Sequence, residues 1–307
     1  MSILAKLLVL IGFLISLSVF AAQELLVPQE INQNFLKIYS NAEKVAIAKD
    51  LRNIRELCLS QAQSGQKYLI YVATAGGPGA SKSTILETYL HDHPGFVYVD
   101  PDQRALKFMI NTYLQDISNY AVAQNISSPQ LLNKAYAKWR GGSNYIANTV
   151  LNEAYANKLG IAHGTTSTSK AMALFYRKLQ KQGYKIILLL CASTEKNRLK
   201  ANEYREKNQR FVQASREDII SKGQMFFENF PVYFKYADEI QFFWIDDFLR
   251  GGVKVAEYSK TTGLKSLHRD FNKLKNSYKE FRNQHPDKQL PSFDGLLKEN
   301  IKNPTKS

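Results

Sequence analysis

The stretch YVATAGGPGASKSTIL, Tyr71 to Leu86, constrains the chain more than any other. The run KYLIYVATA is rich in β-branched and aromatic residues and ends in glycines, which predicts a buried strand and a tight loop. STILETYLHDH then reads as a helix until Pro94 and Gly95 stop it. A strand that turns through glycines straight into a helix aims backbone N–H groups and a helix N-terminus at one spot, which suits an anion. The segment matches the phosphate-loop pattern G-x-x-x-x-G-K-[ST] at Gly76, Lys82 and Ser83, with Ser81 where the second glycine belongs. Gly76, Gly77, Pro78, Gly79, Ala80, Ser81, Lys82, Ser83 and Thr84 are therefore the candidate nucleotide-binding residues. Lys82 would reach the β- and γ-phosphates of ATP, and the Ser83 hydroxyl would help hold Mg²⁺. A left-handed backbone at Ser81 would cost roughly 1–2 kcal/mol. The competing reading is a glycine-rich turn that binds nothing.

The rest of the chain repeats this alternation. GFVYVDPD reads as a second strand, followed by a long helical region to about Leu159. GIAHGTT is a weaker strand, SKAMALFYRKLQKQG a helix, and YKIILLLCAS the strongest strand of all. Two helices and a last strand, EIQFFWIDD, follow. Strands alternating with helices predict an α/β fold: a mostly parallel sheet of the P-loop NTPase type with helices on both faces. Ahead of it, AEKVAIAKDLRNIRELCLSQA has the spacing of an amphipathic helix. From about Lys254 the pattern weakens to a basic helix and a tail, with 12 Lys or Arg against 6 Asp or Glu. The expected organisation is a signal peptide at 1–21, a helical segment at 22–66, the P-loop domain at 67–250 and a basic helical segment with a tail at 251–307.

Lys6 ahead of the apolar run LLVLIGFLISLSVF, with small residues near Ala21 and Ala22, has the layout of a secretory signal. The run is short of the roughly 20 apolar residues of a membrane span, and an uncleaved anchor is the alternative. The expected destination is secreted or periplasmic, with delivery to another, nucleotide-rich cell. Cys58 and Cys191 fall in a helix and a core strand, and two separate buried thiols are expected. The net charge of +14 favours a polyanionic partner. That partner could be nucleotide phosphate, nucleic acid (through the basic C-terminal helix) or an acidic lipid surface, with solubility alone as the alternative; no recognition motif for nucleic acid accompanies the charge.

Two further clusters carry chemistry. Asp100 and Asp102 lie two apart at the carboxyl end of the second strand, where open α/β sheets bind ligands. One could take a proton from an attacking hydroxyl while the other orients Mg²⁺ through water; a plain turn is the alternative. Arg198, Arg205, Arg210 and Arg216 follow the fourth strand and could offset charge on a migrating phosphoryl group, or form a solvated basic helix.

The order GGPGASKST, VDPD, a long helical insert, AHGTTSTS and then YKIILLLCASTEKNRLKANEYREKNQRFV resembles the zeta-toxin group of P-loop kinases across about residues 67–247. That resemblance implies ATP-dependent phosphorylation of a hydroxyl of UDP-N-acetylglucosamine or a related UDP-amino-sugar. It implies Asp102 as the catalytic aspartate, Lys82 and Ser83 in the loop, Arg198 and Arg210 beside the migrating phosphate, and Thr165 as a contact for the substrate; Asp100, from the acid pair itself, is the other candidate substrate contact. Arg205 rivals Arg198. An antitoxin-like or host protein partner is also implied. Ser81, His163 (where relatives often carry an acid) and Asn148 (near an acid that contacts the sugar) depart from the family pattern. The alternatives are a nucleotide-binding scaffold without turnover and an exported effector domain.

Overall fold

Among the described residues seven strands form one sheet: β1 (Ile70–Ala75), β2 (Val97–Val99), β3 (Ile161–His163), β4 (Lys185–Ser193), β5 (Glu239–Asp247), β6 (Gly251–Ser259) and β7 (Gly263–Ser266). The computed structural model describes residues 24–60, 62, 69–124, 129–208 and 214–300. The expected signal segment, residues 1–21, lies outside them. The spatial order is β2-β3-β1-β4-β5-β6-β7. The first five strands pair in parallel, and β6 and β7 add antiparallel.

Strand β4 shows why the sheet is covered on both faces. Ile186, Leu188, Leu190 and Ala192 enter one core, and Ile187, Leu189 and Cys191 enter the other. A run that is apolar at every position can stay dry only between two layers. The helices that supply those layers are α1 (Gln29–Asn34), α2 (Asn41–Leu59), α3 (Lys82–Asp92), α4 (Tyr113–Gln124), α5 (Pro129–Ala156), α6 (Met172–Lys181), α7 (Glu195–Asn208), α8 (Arg216–Glu228), α9 (Phe230–Tyr236), α10 (Phe271–Gln284) and α11 (Phe293–Asn300). Helix α3 packs Ile85 and Leu86 on the smaller core.

The N-terminal helices are anchored rather than loose. Ser40 and Glu43 form a reciprocal capping box at the start of α2. Buried Asp50 accepts bonds from Asn111 N, Asn111 Nδ2 and Thr112 Oγ1 at 2.9, 2.8 and 2.6 Å. Tyr39 donates to the Lys138 carbonyl at 2.6 Å and stacks on Trp139 of α5. Both cysteines are buried and free.

The sheet runs on past residue 250, where the sequence pattern ends it. β6 and β7 lie in the stretch expected to be a helical appendage, and β6 pairs along β5 from Ser259 to Gly251. Behind them α10 and α11 insert Phe271, Tyr278 and Phe293 into the main core. Phe293 touches Phe234, Phe242 and Phe271 at ring distances of 5.5–6.0 Å.

Candidate active site

The carboxyl ends of β1, β2 and β3 open into a cavity of about 470 Å³. Its walls include Gly79, Lys82 and Ser83 from the loop after β1, Asp100 and Asp102 from the turn after β2, and His163 and Thr165 from the end of β3. The structure thus brings together three segments that are far apart in the chain.

The loop has the geometry an anion needs. Gly79 adopts φ 81° and lies against the backbone of Arg198, so a side chain there would be strained as well as overlapping. Ser81 adopts φ 49° and ψ 25°, the left-handed conformation that the missing glycine would have taken, and α3 starts at the next residue. The Lys82 ammonium donates to the Gly77 carbonyl at 2.9 Å, across the mouth of the loop. Burial pulls Lys82 down to about 8, and the nearby cations Arg205 and Lys222 push the same way. A bound polyphosphate would relieve this concentration of positive charge.

Across the cavity, Pro101–Ala105 forms a single π-type turn, with Ala105 N–H reaching the Asp100 carbonyl at 2.9 Å. Asp100 Oδ1 accepts the N–H groups of Asp102 and Gln103, both at 2.8 Å. Its other oxygen lies against Gly164, where a methyl group would overlap it. Burial raises Asp100 to about 6, against the pull of those two amides. The Asp102 carboxylate projects further into the cavity and pairs with the Arg140 guanidinium of α5.

Thr165 accepts the Ser167 N–H on its hydroxyl oxygen at 3.1 Å, leaving the hydroxyl hydrogen available to a ligand. Thr74 Oγ1 fixes the Thr165 backbone through bonds of 2.7 and 3.1 Å.

The arginines divide. Arg205 lines the cavity. Arg198 does not: it is 7 % exposed, its guanidinium lies between Gly77 and Gly223, and it donates to the Ile219 carbonyl. Arg198 therefore braces the loop from behind, and Arg205 is the arginine in position to meet a phosphate. Arg210 lies outside the described residues. Asn148 on α5 does not line the cavity.

Several cavity residues escaped the sequence reading: Gln103, Tyr136, Arg140, Asn202, Asp218 and Lys222. Arg140 pairs with a residue 38 positions earlier, a distance no local pattern encodes. Lys222 and Asp218 form an (i, i+4) pair at 2.8 Å that looks like ordinary helix-surface chemistry in sequence.

No family model and no curated protein sequence matches this chain. Solved structures do match in shape. The AvrRxo1-ORF1:-ORF2 complex with ATP superposes with a TM-score of 0.55 at 13% identity, covering 86% of this chain and 90% of that one. The native AvrRxo1-ORF1:-ORF2 complex gives 0.53 at 13%, covering 86% of each chain. A structure from the PezAT chromosomal toxin–antitoxin system of Streptococcus pneumoniae gives 0.49 at 16%, covering 80% and 97%. At such identities what is shared is the fold, a P-loop-type α/β sheet, and the site must be argued from its own residues.

Proposed function

We propose that this chain is an ATP-dependent phosphotransferase that moves the γ-phosphoryl group to a hydroxyl of a small molecule, with a UDP-amino-sugar as the acceptor class its family resemblance implies. One observation carries the reading: Lys82, at the mouth of a phosphate loop, and Asp102, a carboxylate in the turn after β2, share one cavity. A same-fold structure was solved with ATP, which supports the nucleotide.

The acceptor oxygen would attack the γ-phosphorus, the bond to the β–γ bridging oxygen would break, and ADP would leave. Asp102 would take the acceptor's proton, freed for that role as Arg140 shifts toward substrate. Lys82 and Arg205 would offset charge on the migrating group, which is most of what such a reaction asks of a protein. Oxygen donors suited to Mg²⁺ line the same cavity: the Ser83 hydroxyl, and Asp100 through water. Mg²⁺ at sites of this kind is held by one or two protein oxygens together with the phosphates. When bound, Mg²⁺ would neutralise phosphate charge.

Labelled ATP and a panel of UDP-sugars test this. Lys82→Ala should abolish ATP binding in calorimetry, and Asp102→Asn should keep it while lowering transfer by about 10²–10⁴-fold. Full transfer by Asp102→Asn would sink the assignment. The AvrRxo1 structures are two-chain complexes, which supports a dedicated protein partner. The N-terminal pattern supports export; a mature chain that still begins at Met1 in the cytosol would refute it.

A further inference from the structure

Strand β3 runs between β1, which leads into the phosphate loop, and β2, which leads to the two aspartates. Its last residue, His163, pairs with Ala73 on one side and Val99 on the other and lines the cavity between the two catalytic halves. Its Nδ1 lies 2.8 Å from the Tyr71 hydroxyl. Tyr71 is wholly buried, and its hydroxyl has no other partner among the described residues. If the ring nitrogen donated, the phenolic hydrogen would be stranded at a cost of about 1–3 kcal/mol. Tyr71 therefore donates and Nδ1 accepts, which places the proton of a neutral ring on Nε2. Phe175 packs against both rings, with centroids at 5.7 and 6.1 Å, and fixes their planes. Nε2 has no protein partner among the described residues.

We propose that His163 reads the phosphoryl acceptor as a hydrogen-bond donor, its Nε2–H binding an oxygen lone pair of that molecule, with Tyr71 as the positioning residue that sets the tautomer. This rests on the phosphotransferase reading. Burial lowers His163 to about 4, which favours the neutral ring at pH 7. Acceptors that present an oxygen lone pair at this point bind; those that present only an N–H donor or an apolar group there do not.

Two measurements decide it. In full-length protein labelled with ¹⁵N-histidine, long-range ¹H–¹⁵N spectra should show His163 as the neutral Nε2–H tautomer, and Tyr71→Phe should mix the tautomers. An imidazolium or an Nδ1–H ring at neutral pH overturns the proposal. Against the UDP-sugar panel, His163→Leu should raise the acceptor KM about tenfold with kcat and ATP affinity held. His163→Gln, whose amide N–H can stand in for Nε2–H, should recover most of that loss, and His163→Asn should not. Equal loss in the Gln and Leu variants, or loss in kcat instead of KM, overturns it. A wild-type chain that phosphorylates nothing in the panel counts against the phosphotransferase reading alone, because the tautomer needs no acceptor and still decides the donor.

Discussion

Ser81 holds φ 49° with no side-chain bond to cap the helix it precedes. A residue with a Cβ pays about 1 kcal/mol there that glycine avoids. Ser81→Gly should therefore raise the melting temperature by about 2 °C and leave ATP affinity intact; a fall in either would mean the serine does something its backbone does not reveal. Asp100 is strained electrostatically instead. Its pKa is raised in the fold from 3.8 to about 6, so between those values the folded state holds more protons than the unfolded one. The stability contribution of Asp100 therefore falls as pH rises through that window, and above it the charge is a burden of up to roughly 3 kcal/mol. Asp100→Asn keeps an oxygen for the N–H groups of Asp102 and Gln103 and removes the charge. Urea titration should show a gain of about 1–3 kcal/mol at pH 7 that vanishes below pH 4, with phosphoryl transfer lost. A site residue whose removal stabilises the fold is being kept for chemistry.

At the scale of elements, the glycine-rich loop after β1 is held by a side chain from another helix. The Arg198 guanidinium of α7 lies between Gly77 of the loop and Gly223 of α8. Gly to Ala inside a helix ordinarily stabilises by about 1 kcal/mol. At Gly223 the added methyl overlaps the guanidinium, and overpacking of that kind costs about 1–3 kcal/mol. Gly223→Ala should therefore destabilise the protein and weaken ATP binding together, read by urea titration and calorimetry; an ordinary helical gain would show that Arg198 is free to move aside. Legibility in the sequence followed the same division between local and distant. β5 could be read residue for residue from EIQFFWIDD, because an apolar run bounded by polar residues is a local signal. β6 could not. Register shifts opposite Phe242/Phe243 and Trp244/Asp247 break its pairing, and Val253 and Lys254 are both exposed, so the alternation that marks a strand is lost. The loop and the acids of β2 were legible because each sits in a local motif. Arg140 and Lys222 join the site only through tertiary packing, and Arg198, legible as an arginine, lies behind the loop between Gly77 and Gly223 and outside the cavity lining.

The described residues are organised around a single sheet, and this decides where the chain can be cut. A chain ending at residue 250 would keep every loop of the cavity, and the sequence pattern places a domain boundary there. The packing argues otherwise. Removing β6 leaves β5 as a bare edge, its N–H and C=O groups open to other chains. Removing α10 and α11 takes away Phe271, Tyr278 and Phe293, on which Phe230, Phe234 and Phe242 rest. Loss of three buried aromatic side chains amounts to on the order of 10 kcal/mol, comparable to the entire stability of an ordinary domain. The shortened chain should therefore aggregate or lack a cooperative unfolding transition, measured by size-exclusion chromatography and thermal denaturation followed by circular dichroism. A soluble product that melts cooperatively and binds ATP would show instead that residues 251–307 are an accessory layer, and that the five parallel strands with their helices suffice to shape the loop around a phosphate.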